Sequence, residues 1–545
     1  MAPGAGTAWG YRHSGAAIRY LEYSQRAFDL AKRENKPVFM VISAVWCYWC
    51  KTYDEQTLEI SEVASFMNRN FINVFVDLDR RQDLQHKYVT KGIPTSVIFT
   101  PDGRQYLSFS GILDPRQFLA GMSQVLSDIR RKKGQPRREP PATVKNIRPF
   151  LPQSNRKAGQ NASKPLAAVF RGWRKDYLQL IMDNVDITHG GFGTGKKYPL
   201  GAVISYLIRA QQIGGPKETW LVAGHTLNLI AKHLYDSVEG GFFRYADRGD
   251  WRRLRREKML ITNVQLIRAF QMAEKMALAD KNRKLAHRFG AIYKKSLGFF
   301  LATYRRTGGG FYGSLDGRTP GYYRLSAERR KRAKRRPKLD RTLYSAWNGQ
   351  VVYLLEQIYS DDPSPPLREA IVGALRFLGG EMLTPAEGLR TYARPGGNPP
   401  TGSGMLSVNS WGALAFITGY RMTGEARYLK YFKKVLAYAN AQLYISREGI
   451  YRLWNIRNVK GLRRGEAVSE EAPLLENGVM ALALAEAHRS TGNPEYHGLA
   501  KRIIDALSAL DPAEFDEDPN DPGKRFLIDF VYFLNALQRL STHPA

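Results

Sequence analysis

Apolar and polar positions change rhythm near residue 165. Before it, short apolar runs alternate with amphipathic stretches. Pro37 to Val45, Phe71 to Asp77 and Ser96 to Thr100 read as strands, and Lys51 to Asn68 and Gln82 to Thr90 as helices. Pro101-Asp102-Gly103 predicts a hairpin turn into a strand over Gln105 to Ser110, followed by a closing helix over Asp114 to Ile129. From about Leu166 the spacing becomes helical and the blocks lengthen. Helices are predicted over Ala202 to Gln212, Trp220 to Tyr235, Ile261 to Ala279, Arg283 to Tyr304 and Ser345 to Tyr359. Leu367 to Met382, Ser410 to Thr423, Ala426 to Leu443, Leu474 to Ser490 and Glu495 to Leu510 continue the series. Between the two regions runs Arg130-Arg131-Lys132-Lys133-Gly134-Gln135-Pro136, polar and Pro-rich to about Pro165, which has too little apolar surface to fold alone.

The helical region carries an echo. Gly190-Gly191-Phe192-Gly193, Gly240-Gly241-Phe242-Phe243, Gly309-Gly310-Phe311-Tyr312, Gly388-Leu389-Arg390-Thr391-Tyr392 and Gly449-Ile450-Tyr451-Arg452 start 50, 69, 79 and 61 residues apart. The intervals are too uneven for a short solenoid repeat. Paired glycines allow a tight turn with positive φ, and the aromatic that follows plugs the core beneath it. About a dozen helices with five such turns predict an (α/α)6 toroid, an inner ring of helices around a funnel.

Chemistry enters with the cysteines. The chain has 2 in 545 residues, and both fall in Trp46-Cys47-Tyr48-Trp49-Cys50, directly after an apolar run. A strand before and a helix after put Cys47 at a helix N-terminus, where unpaired N–H groups and the helix dipole favour thiolate over thiol. The thiolate attacks disulfides, and Cys50, one turn on, can resolve the mixed disulfide. A half zinc site or a structural disulfide is the alternative. A second cysteine pair is absent and the 9 histidines are scattered, so no metal and no cofactor is expected.

The order strand, Trp-Cys-x-x-Cys helix, strand, helix, Gly92-Ile93-Pro94-Thr95, hairpin and closing helix resembles the thioredoxin fold. That resemblance implies catalysis by Cys47 and Cys50, with Trp46, Ile93 and Pro94 binding substrate backbone beside them. It departs at Val41, where thioredoxins often carry a buried acid. Asp236-Ser237-Val238-Glu239-Gly240-Gly241-Phe242-Phe243-Arg244-Tyr245, Trp251 and Glu257-Lys258-Met259-Leu260-Ile261-Thr262-Asn263 look like the spermatogenesis-associated protein 20 family. Gly191-Phe192-Gly193 with Lys197-Tyr198-Pro199, and Ser345-Ala346-Trp347-Asn348-Gly349, are similar to its motifs as well. The resemblance implies an α/β thioredoxin-like domain followed by an all-α (α/α)6 toroid of the six-hairpin glycosidase kind. The expected division is a tail over 1–15, the thioredoxin-like domain over 16–130, a linker over 131–165 and the toroid over 166–545. The family usually has Cys-His-Trp-Cys-His, where this chain has Cys47-Tyr48-Trp49-Cys50-Lys51. It usually has His-Phe before the Glu-Lys-Met-Leu and Tyr-Asp after it, where this chain has Arg255-Arg256 and Ile261-Thr262.

Toroids of this shape occur in sugar epimerases and glycosidases, so carboxylates near the funnel are candidate acid/base groups. They are Asp186, Glu257, Asp340 and Glu476, with Trp251, Trp347 and Trp454 as sugar platforms and Asn348 beside them. Each acid has a bland reading as a turn cap or an arginine partner. Lys plus Arg is 82 against 50 Asp plus Glu, a net charge of +32, which attracts polyanions at long range. The densest run, Arg329 to Lys338, reads as a solvated mobile loop able to make nonspecific polyanion contacts. No 18-residue apolar stretch predicts a membrane span, and Met1 to Gly10 lacks the apolar core of a secretory signal, so a cytoplasmic protein is expected. A cysteine pair without spare thiols also suits an extracytoplasmic compartment reached with a signal since trimmed. The functional expectation is a thiol–disulfide oxidoreductase acting on a protein partner, with a toroid that binds or presents substrate, carbohydrate included. The alternatives are a sugar-processing or sugar-binding toroid with a regulatory thioredoxin-like domain, and a polyanion-binding module.

Overall fold

In a computed structural model of the chain, the described residues are 17–44, 47–78, 81, 84, 87–89, 92–131, 165–317, 319, 321–384, 386–394, 403–453, 472–509, 524 and 526–542. They belong to two compact units. Most of the linker, most of the short helix expected over Gln82 to Thr90, Trp46 and Trp454 lie outside the described residues.

The first unit is a five-stranded sheet in the order β1 (Tyr20–Glu22), β3 (Ile72–Asp77), β2 (Val38–Ser43), β4 (Thr95–Phe99), β5 (Gln105–Ser110). The first three strands are parallel, and β4 and β5 run antiparallel to their neighbours. The unbroken apolar runs mark β2 and β3 as the centre, covered on both faces. Met40 and Ile42 pack with Phe28 and Phe99 on one side, and Phe39 and Val41 pack with Tyr53, Phe118 and Met122 on the other. Helices α1 (Gln25–Glu34), α2 (Tyr48–Tyr53), α3 (Ser61–Asn70) and α4 (Pro115–Arg131) provide those covers.

The single helix expected over Lys51 to Asn68 is in fact two. α2 widens into a π turn over Asp54–Leu58, the chain extends at Ile60, and α3 begins at Ser61. Leu58 and Val63 are both buried but five residues apart, so an unbroken helix would have turned exposed Glu62 under the core instead.

The second unit is the toroid. Six outer helices, α5 (Leu166–Asp183), α7 (Lys217–His233), α9 (Arg283–Tyr304), α12 (Pro365–Phe377), α14 (Ala426–Gln442) and α16 (Pro494–Leu507), alternate with six inner ones. The inner helices are α6 (Gly201–Gln212), α8 (Leu260–Ala279), α11 (Ser345–Asp361), α13 (Leu406–Thr423), α15 (Leu474–Thr491) and α17 (Leu527–Thr542). A short helix, α10 (Ala327–Lys331), is inserted before α11. Each inner helix packs on the next in chain order, and α17 packs back on α6, closing the ring. α17 is mostly buried, with Asp529, Asn535, Gln538 and Arg539 at its less buried positions.

The five echoing turns sit where an outer helix passes to an inner one. In the second, Gly240 and Gly241 have φ of 91° and 77°, and a Cβ on Gly241 would lie 2.5 Å from the Phe299 ring. Four of the turns are held by an asparagine that is the fourth residue of the following inner helix: Asn263, Asn348, Asn409 and Asn477. Asn348 accepts from Phe311 N at 2.7 Å and donates to Phe311 O and Tyr344 O at 3.1 and 2.9 Å. Asn263 and Asn477 repeat the whole pattern on Phe242 and Tyr451. Asn348→Ala is expected to destabilise the toroid by about 2–3 kcal/mol, because it strands buried backbone groups. Equilibrium urea unfolding checks this, with Asn348→Asp failing to restore the loss.

The basic run Arg329 to Lys338 is not a free loop. Arg330 is buried, donates to Asp236 at 2.7 Å and Glu239 at 3.0 Å, and stacks over Tyr322 and Tyr323. The insertion is therefore clamped to the second turn, while Arg329, Lys331, Arg332 and Lys334 to Arg336 stay exposed. Burial alone would raise the carboxyl of Asp236, but Arg330 and Lys258 hold it below the usual range. Glu486 is likewise held low against its burial, by Arg421, Arg539 and Arg489. A carboxyl depressed by folding stabilises the native state above its unfolded pKa, and this is lost as pH falls through the native one. Toroid unfolding is therefore expected to become easier as pH drops below about 4, measurable as a falling urea midpoint.

Candidate functional site

Cys47 is the N-cap of α2. Its backbone is extended, its N–H bonds to Ala44 O, and its sulfur accepts from Cys50 N at 3.1 Å. That donor is one of the unpaired amides of a helix start, and it favours negative charge on Cys47. Cys47 and Cys50 form a disulfide with their Cα atoms 5.3 Å apart, and both are buried, at 3% and 1% exposure. The peptide Ile93-Pro94 is cis, and Ile93 O lies 3.8 Å from Cys47 Sγ. The loop singled out for substrate contact is thus brought against the cysteine pair, with Ile93 partly exposed and Pro94 buried.

The position where thioredoxins often carry an acid is dry. Val41 lies opposite Phe75 on β3 and Ser96 on β4, and all three are buried. Cys50 belongs to the same buried apolar cluster as Met40, Ile42 and Val76, and burial raises a thiol pKa. Alkylation of the reduced protein is expected to titrate in two steps, Cys47 below the ordinary thiol value of about 8.5 and Cys50 above it. The pH dependence of iodoacetamide labelling at each sulfur measures both.

The toroid candidates separate by location. Asp186 accepts from Lys197 Nζ at 2.6 Å and from the amides of Thr188 and His189, and Lys197 is fully buried. It is the clasp of the first turn, as Asp236 with Lys258 is of the second. Trp251, expected as a sugar platform, is 2% exposed, donates to His189 O and lies against Gly191. It plugs the first turn. Asn348 is buried and fully engaged with backbone. Glu257 is buried with Arg244 3.7 Å away, and Glu476 is buried in the first turn of α15. Asp340 accepts from Thr342 N and Tyr344 Oη, and the Trp347 ring, half-buried, lies 4.4 Å from that of Tyr344. Glu257 and Asp340 are brought to one three-stranded sheet, Lys258–Met259 pairing with Ser314–Leu315 and that with Leu339–Asp340.

Two layers in the lumen were not anticipated. Gln350 on α11 donates to Tyr532 on α17 at 2.9 Å, and Gln265 on α8 approaches the same hydroxyl. Trp411 on α13 meets the Tyr532 ring edge-on at 4.9 Å. α11 and α17 are three places apart in a ring of six, so this bond crosses the axis. All four residues are the sixth of their helices, and they form a buried polar floor. The signal was in the sequence as Asn-x-Gln, at Asn263-Val264-Gln265 and Asn348-Gly349-Gln350. Nearer the C-terminal ends of the inner helices lies a charged belt. Arg421 bridges Glu356 and Glu486 at 2.6 and 3.0 Å, and Arg539 binds Glu486 at 3.0 Å.

Comparison with known proteins follows the same division. The family described as Thioredox_DsbH, a protein of unknown function (DUF255), matches residues 6–152. Spermatogenesis-associated protein 20 of Rattus norvegicus is 27% identical over 312 residues, 52% of this chain and 39% of the relative. Its Homo sapiens counterpart is 26% identical over 327 residues, 57% and 40%. The chain is thus similar to the spermatogenesis-associated protein 20 family over both of its units. The matched region spans about two fifths of the length of those family members. The toroid resembles cellobiose 2-epimerase from Spirochaeta thermophila, with a TM-score of 0.53 at 16% identity over 70% of this chain and 99% of that one. A sugar epimerase from a ruminal bacterium gives 0.53 at 13% identity, over 70% and 99%. At such identities the likeness is one of fold. The chain thus joins a thioredoxin-like domain to an (α/α)6 toroid. No helix among the described residues is long and apolar enough to cross a membrane.

Proposed function

We propose that this chain is a thiol–disulfide oxidoreductase in which Cys47 attacks, Cys50 resolves and the Ile93-Pro94 loop seats the partner's backbone. The observation that carries the reading is the Cys47 sulfur at a helix N-terminus, accepting from Cys50 N, with Ile93 O beside it. In the attack, the Cys47 thiolate bonds one sulfur of the partner disulfide and the other leaves as thiolate. Cys50, deprotonated, then attacks Cys47 Sγ, which releases the reduced partner and leaves the Cys47–Cys50 disulfide. The toroid presents or recruits the substrate. A sugar-bearing partner is the form favoured by the epimerase-like fold and by a lumen floor made of amides, a phenol and an indole, which are neutral groups suited to hydroxyls.

The test is insulin disulfide reduction by the full chain with a dithiol as electron source, together with the reduction potential of the cysteine pair. Turnover and a potential above about −300 mV are expected. A pair that stays oxidised below that range, with no turnover, overturns the reading and leaves a structural staple. For the toroid, a thermal shift with neutral disaccharides that disappears in Gln350→Ala is expected. No shift with any of them rejects the sugar-bearing form while leaving the thiol chemistry standing.

A further inference from the structure

The charged belt contains more cation than it can pair. Every inner helix contributes to it: Arg209 from α6, Arg268 from α8, Glu356 from α11, Arg421 from α13, Glu486 from α15 and Arg539 from α17. Around one half of the ring the charges alternate and bond, Glu356 to Arg421 to Glu486 to Arg539, with Arg489 also on Glu486. Around the other half the pairing is sparser. Arg209 has no ion-pair partner among the described residues, and its only side-chain bond there is from Nε to the neutral Gln538 at 3.2 Å. Arg268 on the neighbouring helix is the ninth residue of α8 as Arg209 is of α6, so the two stand at one level. Arg268 binds Asp361 and Gln271 through one terminal nitrogen, while its buried Nε has no acceptor among the described residues. Burial disfavours the Arg209 cation, Arg539 and Arg268 disfavour it further, and Tyr353 and Glu486 offset part of this.

Like charges drawn together out of water are costly unless something between them carries the opposite sign. Arg268 and Arg539 each have one carboxylate, Asp361 and Glu486, already shared with Lys275, Arg421 and Arg489, and Arg209 has none bonded to it among the described residues. We propose that the C-terminal end of the inner ring binds a small oxyanion of the phosphate or sulfate class between Arg209, Arg268 and Arg539. Guanidinium forks match such oxyanions in plane and spacing, and several helices converging on one ligand would hold it without backbone movement. The site lies in the C-terminal part of the inner ring, below the Gln350–Tyr532 floor, so it is separate from any sugar bound above that floor and from the cysteine pair. An anion there would complete the alternation of charge and brace all six inner helices.

The experiment is a titration of the full chain with inorganic phosphate, chloride being used to hold ionic strength constant. Melting temperature and phosphorus NMR line width give the readouts. Saturable binding is expected, weakened at least about tenfold by Arg209→Gln and unchanged by Arg335→Gln, which removes an exposed cation of the surface run. A response that never saturates, or equal weakening in both variants, overturns the site and assigns the effect to general screening of a basic protein. If Arg209→Gln does not fold, Arg268→Gln carries the same expectation, and saturation in the unmodified chain remains decisive.

Discussion

Replacing Cys47 by serine is expected to lower disulfide-exchange turnover by at least about a thousandfold. The amide of Cys50 and the first turn of α2 stabilise an anion at that position, and a thiol can supply one near neutral pH, whereas a serine hydroxyl cannot. The fold should survive, because Cys47 contributes little volume and the cap can be made by an oxygen as well as a sulfur. Cys50→Ser should behave differently. Attack would proceed, resolution would not, and the enzyme should accumulate as a covalent adduct with its partner, visible on a non-reducing gel. Intact turnover in Cys47→Ser would remove the nucleophile from the scheme, and the absence of an adduct in Cys50→Ser would remove the resolving step. The dry surroundings of Cys50 add a signature. With Cys50 in one buried apolar cluster with Met40, Ile42 and Val76, resolution should speed up as pH rises through the elevated range of its thiol.

The legibility of this chain followed the range of the interactions involved. The cysteine pair, its helix and the Ile93-Pro94 turn were readable because each depends on neighbours a few residues away, and so were nearly all the long helices. The break at Glu59 and Ile60 was not apparent, since it depends on which residue of a continuous amphipathic stretch faces strands elsewhere. The lumen was the hardest part. Gln265, Gln350, Trp411 and Tyr532 come together only when the ring closes, across as much as 267 residues of sequence between Gln265 and Tyr532. Arg330 shows the same limit in its sharpest form. Amid nine neighbours rich in lysine and arginine, nothing local distinguishes the one cation that turns inward. Its partner Asp236 is 94 residues earlier.

Removing the carboxylate of Asp236 should produce the largest stability loss of any single change in the toroid, about 3–5 kcal/mol. Asp236 Oδ2 accepts from Lys258 Nζ and from Arg330, each at 2.7 Å, and Oδ1 accepts from Val238 N at 3.1 Å. Both cations are buried, Lys258 completely, so Asp236→Asn leaves two charges out of water without a full counter-charge. They differ in what they can do next. Arginine cannot shed its proton, but lysine can, and burial already pulls the Lys258 pKa below its ordinary value even with Asp236 in place. In the variant the native state therefore binds fewer protons than the unfolded chain over a wider span, and stability must rise with pH from the depressed native pKa of Lys258 until the unfolded lysine loses its own proton near about 10.4. Urea unfolding of Asp236→Asn from pH 6 to 10 should show a midpoint that climbs, while the unmodified toroid shows a weaker slope. A flat profile would mean that Lys258 is not the stranded charge. The aromatic box around it, with Phe299 at 4.3 Å and Tyr323 and Phe243 at 5.4 and 5.5 Å, supplies a complementary check. Adding Lys258→Met and Arg330→Met to an Asp236→Leu background removes the three buried charges and fills an apolar site, so most of the lost stability should return. Neither set of changes touches the cysteine pair, and thiol labelling of the first unit should stay as it is in the unmodified chain.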